Sequence, residues 1–151
     1  MCLVTRLVKA IKALKDIICY KVYIPSDVNN TFISPYQGYK MPKLGKRVQT
    51  EFNNKVDVDS RLYGGKSYIE LGFHPYKNLE DIYTIYKGFH SFKLLSDIEE
   101  YCRNCFTDYL IVECTIPKGT KYYKGLYGTV ESYCSECIIL NKVIDNYVFI
   151  H

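Results

Sequence analysis

Four cysteines are spaced as two pairs that could bind a metal ion. Each pair has two intervening residues, and the pairs are Cys102 with Cys105 and Cys134 with Cys137. Four thiolates in tetrahedral geometry form a common structural zinc site. The second pair runs directly into an apolar segment typical of a strand, so buried, reduced thiols are the alternative interpretation. The pattern therefore allows zinc and predicts no other cofactor.

Two histidines occupy matching positions in an internal repeat. Residues 72–82 and 88–98 share Gly, Phe, His, Lys, Leu, Asp and Ile at equivalent positions, so His74 and His90 lie in matching Gly-Phe-His units. Such a pair could bind phosphate or a metal, or act as acid and base; each ring could instead hydrogen-bond to backbone in a tight turn. A nucleophilic dyad is another alternative, pairing His90 with one of Cys102, Cys105 and Cys114.

Lysines and tyrosines are interleaved in one segment, which contains Lys118, Lys121, Tyr122, Tyr123 and Lys124. A similar mixture occurs earlier, at Tyr36, Tyr39 and Lys40. Aromatic rings stack on nucleobases and lysines neutralise phosphates, so both segments suit a nucleotide-like ligand. The same alternation is also the pattern of an amphipathic strand. We treat His74, His90 and the lysine–tyrosine segment 118–124 as the candidate ligand-binding residues.

An ADP-ribosyltransferase-like site is an alternative hypothesis. Enzymes of that class use an early Arg or His, a Ser or Tyr on a middle strand and a late Glu. The candidates in this chain are His74 or His90, Tyr122 or Tyr123, and Glu131 or Glu136. The paired Glu-x-Glu motif is missing, and no glycine-rich nucleotide-binding motif follows a predicted strand.

Composition and charge exclude several classes of protein. The net charge is +4, and the basic residues are spread among acids, which does not favour a dedicated nucleic-acid binder. Lysines and arginines interrupt the first apolar segment, so we expect neither a signal peptide nor a membrane span. The seven cysteines are then expected to be reduced thiols of a cytoplasmic protein.

These residues must be positioned by one domain of 151 residues. Apolar residues at three- and four-residue steps predict an N-terminal amphipathic helix over 3–18. In the body, 19–151, we expect a mostly antiparallel twisted sheet and two short helices, one after each Gly-Phe-His unit and running to Tyr86 and to Cys102, which is an α+β fold. The predicted strands cover 17–24, 47–52, 67–73, 108–116, 120–123, 137–144 and 147–150, with a hairpin turn at Asp145 and Asn146.

Four segments of the chain resemble small uncharacterised proteins of bacteriophages and gut bacteria. They are SPYQGYKMPKLGK at 34–46, GFHSF at 88–92, VECTIPKGTKYYKG at 112–125 and SECIILNKVI at 135–144. The resemblance covers about residues 17–145 and implies a strand before a helix, then a hairpin and a closing strand. It transfers no catalytic residue.

These observations together favour a non-enzymatic phage accessory or counter-defence protein in the host cytoplasm. Its expected partner is a nucleotide-like signal molecule or a host protein. The alternatives are the ADP-ribosyltransferase-like enzyme and a virion or assembly component, for which a homo-oligomer with a large apolar patch is expected.

Overall fold

Antiparallel strands make up most of the protein. The computed structural model describes residues 3–5, 9–27, 31–35, 38–52, 83–103 and 107–147. Within these ranges there are eleven strands and one helix. They are β1 (Leu3–Thr5), β2 (Ile11–Lys12), β3 (Ile17–Pro25), β4 (Phe32–Ile33), β5 (Arg47–Gln49), β6 (Tyr83–Ile85), β7 (Phe89–Phe92), α1 (Leu95–Arg103), β8 (Tyr109–Ile116), β9 (Lys121–Tyr127), β10 (Val130–Ser135) and β11 (Cys137–Tyr147).

One sheet contains all of these strands. Its order is β5-β11-β8-β3-β7-β10-β9-β1-β6, with β2 paired to β9 and β4 paired to β3. Only Glu136 separates β10 from β11, yet β10 lies between β7 and β9 while β11 lies between β5 and β8. This single stretch of chain therefore links the two halves of the sheet.

The predicted N-terminal helix over 3–18 is wrong. That segment contains β1, β2 and the start of β3, and β1 is held between β9 and β6. Apolar residues at three- and four-residue steps also fit short strands separated by turns, and here pairing with β9 decides the outcome. The side chains of Leu14 and Ile18 are 88% and 45% exposed, so the apolar stripe of the supposed helix is not buried as a unit.

The α+β prediction is also wrong, because the described part of the chain consists mostly of antiparallel strands with the single short helix α1, which is nearer an all-β fold. That helix follows the second Gly-Phe-His unit, as predicted. The strand expected at 67–73 and the start of the helix expected after the first unit lie outside the described residues. The end of that helix, expected to reach Tyr86, is wrong, because Tyr83–Ile85 is a strand.

Helix α1 is short, and it is stabilised mainly by one buried stripe. Ile98 and Cys102, four residues apart, are buried against Val22, Phe92 and Ile111. Asp97 in the first turn and Arg103 in the last turn suit the helix dipole.

The predicted strands in the centre of the sheet agree with the structure better than those predicted near the C-terminus. Predicted strands 17–24 and 108–116 correspond to β3 and β8. The hairpin at Asp145 and Asn146 is wrong, because β11 continues through both residues with register shifts after Leu140 and Val143. Strand β10 was not predicted.

The two faces of the central strands carry different side chains. Side chains alternate along a strand, and directly paired residues share a face. One side, which we call the helix face, carries Val22 and Phe92 and packs against α1. The other, which we call the Lys21 face, carries Cys19, Lys21 and Tyr23 on β3. Because both faces of β3 are covered, Lys21, Val22 and Tyr23 are buried in succession.

Candidate functional site

Two cross-strand rows on the Lys21 face form the candidate site. In the first row, Ser91 on β7, Tyr133 on β10 and Lys124 on β9 are direct partners. In the second row, Phe89, Ser135 and Tyr122 are direct partners in the same order of strands. Both rows run from buried residues on β7 to more exposed ones on β9.

The exposed end of the site is aromatic. Tyr122 and Tyr133 are half-buried, and their ring centroids lie 5.8 Å apart at an interplanar angle of 74°. This edge-to-face arrangement is favourable for aromatic rings. Burial raises the pKa of Tyr133, so its phenol remains neutral near pH 7. Lys124 is exposed and adds a positive charge at the rim.

The buried end of the site contains two hydroxyls that lack a good partner. Ser91 and Ser135 are fully buried, and neither oxygen makes a geometrically sound hydrogen bond within the described chain. The Ser91 hydroxyl does lie against the Cys19 sulfur, which is a weak partner. A buried hydroxyl without a hydrogen bond costs about 1–3 kcal/mol, so two on one face indicate a site that is completed by something else.

A lysine is buried on the same face of the sheet as these hydroxyls. Lys21 is 6% exposed, and its ammonium donates a 2.6 Å hydrogen bond to the backbone oxygen of His90. The ammonium also lies over the rings of Tyr23 and Phe89, at 5.7 and 6.0 Å from their centroids. Among the residues that the structure describes, no carboxylate forms an ion pair with Lys21. Burial lowers the pKa of Lys21, although nearby thiols oppose this.

Two thiols complete the Lys21 face. Cys19 on β3 and Cys114 on β8 are direct partners and both are fully buried, and the Cys114 thiol donates a 3.5 Å hydrogen bond to the backbone oxygen of Val112. Burial raises the pKa of Cys19, but the neighbouring Cys114 thiol, the Ser91 hydroxyl and the charge of Lys21 outweigh it and lower the net value. Burial and then Cys19 raise the pKa of Cys114.

His90 lies on the opposite, helix face, where Cys134 and then Tyr123 are its neighbours across the sheet. Its Nδ1 is 3.2 Å from the oxygen of Gly88, and its Nε2 is 3.1 Å from the oxygen of Ile85. Burial lowers the pKa of His90 to about 4; the Ile85 oxygen opposes this shift and the Lys21 charge adds to it. His90 is therefore neutral near pH 7 and packed against backbone. His74 lies outside the described residues.

Three of the four cysteines predicted as a metal site are described by the structure, and they lie in different places. Cys102 lies on the buried side of α1, Cys134 packs with Leu3 and Tyr123, and Cys137 lies beside Arg47. Cys105 lies outside the described residues. Among those that are described, no group of three or more His, Cys, Asp or Glu side chains is placed to hold a metal ion.

The lysine–tyrosine segment is divided between the two faces of β9. Tyr122 and Lys124 lie on the Lys21 face, whereas Lys121 and the fully buried Tyr123 lie on the other. Lys118 is exposed in the turn before β9, where its backbone N–H donates to Asp16 Oδ1 at 2.8 Å. Tyr39 and Lys40 are exposed elsewhere, and Tyr36 lies outside the described residues.

The two candidate catalytic glutamates are engaged away from His90. Glu131 is exposed and forms an ion pair with Lys93 at 3.3 Å. Glu136 lies between β10 and β11, where its Oε1 accepts a 3.0 Å hydrogen bond from the backbone N–H of Lys121. The described residues therefore do not place either carboxylate in a cleft with this histidine, and the Cys114 thiol lies on the face opposite to it.

Sequence reasoning missed Lys21, Ser91, Tyr133 and Ser135. The signal for Lys21 was weak, because a lysine within an apolar strand is ordinarily taken as facing solvent. Ser91, Tyr133 and Ser135 come onto one face only when β7, β10 and β9 pair. The sequence pattern did not predict that pairing. This arrangement can hold a flat aromatic group at the tyrosines and accept an anion or polar group at Lys21 and the serines.

No protein-family model, curated protein or solved structure matches the chain. In the part of the chain that the structure describes, no helix has the length and apolar character required to cross a bilayer.

Proposed function

We propose that the protein is a non-enzymatic accessory protein of a bacteriophage that binds a nucleotide-like small molecule in the host cytoplasm. The observation that carries the proposal is the coincidence, on one face of the sheet, of a half-exposed tyrosine pair with a buried ammonium and two incompletely satisfied hydroxyls. The phage setting is supported by the resemblance of residues 17–145 to small phage proteins.

The tyrosine pair suits the flat part of such a ligand. Stacking of a base on an aromatic side chain contributes about 1–3 kcal/mol, and it tolerates different bases. Tyr122 and Tyr133 are half-buried, so they retain ring surface for this purpose at a small entropic cost.

The polar part of the ligand is matched by Lys21, Ser91 and Ser135. A buried ammonium with no carboxylate partner in the described chain favours an anionic group, and the serine hydroxyls can donate to its oxygens. Lys124 at the rim is placed to attract the same charge from solution.

Binding without catalysis is favoured because the acid and base candidates are occupied. Glu131 pairs with Lys93, Glu136 holds the backbone of Lys121, and His90 is buried against carbonyl oxygens. Burial and the Lys21 charge keep His90 neutral, and its side chain lies on the face opposite to the candidate site.

The test is isothermal titration calorimetry of the purified chain with adenosine, AMP, cyclic di-AMP and ADP-ribose. We expect at least one phosphate-bearing compound to bind more tightly than adenosine. Tyr122→Ala and Tyr133→Ala should each weaken that binding by about 5- to 150-fold, as expected for a lost stacking contact. Tyr39→Ala is the matched control, since Tyr39 is 45% exposed and lies outside the site.

Absence of binding by all four compounds, with no bound small molecule in native mass spectra of protein isolated from infected cells, would contradict the proposal. A host protein would then be the partner to seek.

A further inference from the structure

The paired thiols of the Lys21 face suggest a chemical reactivity that the proposed binding function does not use. Cys19 and Cys114 are directly opposed in the antiparallel register of β3 and β8. They are the only two cysteines opposed to each other in the described strand registers. Directly opposed residues have Cα atoms about 4.5 or 5.5 Å apart, and both values suit a disulfide. The spacing expected for directly opposed residues is therefore compatible with a disulfide between Cys19 and Cys114.

The surroundings make the two sulfurs unequal. The neighbouring Cys114 thiol, the Ser91 hydroxyl and the charge of the Lys21 ammonium all favour the thiolate form of Cys19. These contacts outweigh burial and lower the pKa of Cys19, whereas burial and the neighbouring sulfur raise the pKa of Cys114. The thiolate is the nucleophilic form of cysteine, so Cys19 is the first of the two to react.

We propose that Cys19 and Cys114 form a peroxide-reactive dithiol site, in which Cys19 is the nucleophile and Cys114 the resolving thiol. The co-substrate is hydrogen peroxide or a small organic hydroperoxide. This inference does not rest on the proposed binding function, because the opposed thiols are defined by the register of β3 and β8, although Lys21 and Ser91 take part in both proposals.

The reaction has two balanced steps. The Cys19 sulfur attacks one peroxide oxygen, the O–O bond breaks, and the departing hydroxide takes the Cys19 proton to leave as water. The Cys114 sulfur then attacks the Cys19 sulfenic acid, the S–O bond breaks, and the hydroxyl leaves as a second water with the Cys114 proton. Two thiols are oxidised to one disulfide while one peroxide is reduced to two waters.

The test treats the full wild-type chain with one equivalent of hydrogen peroxide, blocks residual thiols with N-ethylmaleimide under denaturing conditions, and maps peptides without reduction. We expect a linked pair of peptides containing Cys19 and Cys114, and a chain lighter by two hydrogen atoms. Cys102, Cys134 and Cys137 should carry the maleimide. Recovery of Cys19 and Cys114 as maleimide adducts while other cysteines are oxidised, or a link between Cys19 and a different cysteine, would overturn the proposal.

Two variants assign the roles. In Cys114→Ala, Cys19 should stop at the sulfenic acid and be captured by dimedone, whereas in Cys19→Ala the Cys114 thiol should remain reduced. The reverse labelling would overturn the assignment of the nucleophile. Lys21→Met should slow the loss of the Cys19 thiol several-fold, while Lys142→Met, at an exposed position of β11, should leave that rate unchanged. An unchanged rate in Lys21→Met would show that the ammonium does not support the nucleophile.

Discussion

Ser135 on β10 lies directly opposite Tyr122 on β9, so a fully buried hydroxyl is the immediate neighbour of a partly exposed aromatic ring. The hydroxyl has no hydrogen-bond partner within the described chain. Together the two residues mark the boundary between the polar interior of the candidate site and its aromatic entrance.

The first prediction concerns this hydroxyl. Ser135→Ala should increase the free energy of unfolding of the unliganded protein by about 1–3 kcal/mol, because it removes a buried hydroxyl that has no hydrogen bond. Ser132→Ala on the same strand is the control and should cost about 1 kcal/mol, since the buried Ser132 hydroxyl donates to the oxygen of Val130 at 3.3 Å. Urea denaturation measures both. A cost for Ser135→Ala equal to that for Ser132→Ala would indicate a structural role for the hydroxyl.

The second prediction separates stability from binding at Lys21. Lys21→Met should increase the free energy of unfolding by about 1–3 kcal/mol, because it removes a buried charge without a carboxylate partner, although one hydrogen bond to His90 is lost. The same change should abolish the preference for AMP over adenosine. Chemical denaturation and calorimetry measure the two effects, with Lys142→Met as the surface control. A destabilised variant that still prefers AMP would assign Lys21 to the fold alone.

The third prediction concerns Gly88, which precedes β7 with φ of +133°. An added Cβ would lie 2.5 Å from the sulfur of Cys134 and 3.1 Å from the backbone oxygen of Ser135. Gly88→Ala should therefore cost about 2–4 kcal/mol of unfolding free energy, through both the clash and the backbone conformation. Gly45→Ala, at φ of +77° with open space around it, should cost only about 1 kcal/mol. Equal costs in thermal or urea denaturation would show that the clash is relieved by movement of β10.

The fourth prediction follows from the burial of His90, which lowers its pKa to about 4 from an ordinary value of 6.5. Between these values the unfolded chain binds a proton that the folded chain does not, so stability falls as the pH falls from about 6.5 to about 4. The difference in unfolding free energy between wild type and His90→Gln should change by about 3 kcal/mol over that range. Denaturation at several pH values measures this difference, and NMR titration of the His90 ring should show no protonation above pH 5. A pH-independent difference would contradict the assignment.

Strands β3 and β8, inside the sheet, were predictable because their apolar content leaves few alternatives. In β3 and β8, most residues are β-branched or aromatic, which are the types that favour strands. The N-terminal segment was misassigned because Leu3, Leu7, Ile11 and Leu14 satisfy the period of a helix equally well. Pairing with β9 and β6, which involves residues far away in the chain, outweighs this local signal.

The candidate site could be predicted only in part, and for a physical reason. The tyrosine and lysine at positions 122 and 124 were recognised from their types. Whether Lys21 faces water or the interior depends on which surfaces cover β3, and both faces are covered by elements formed from later residues. The pairing of Cys19 with Cys114 likewise exists only once β3 and β8 align in register.

The position of β1 between β9 and β6 has a consequence for how the chain folds. Thr5 Oγ1 donates a 2.7 Å hydrogen bond to the oxygen of Lys124, across 119 positions of sequence. During translation, β1 cannot pair with β9 until β9 has left the ribosome. This part of the sheet therefore forms late. Such long-range closure gives a high contact order, and we expect folding on the millisecond-to-second timescale typical of β-rich domains.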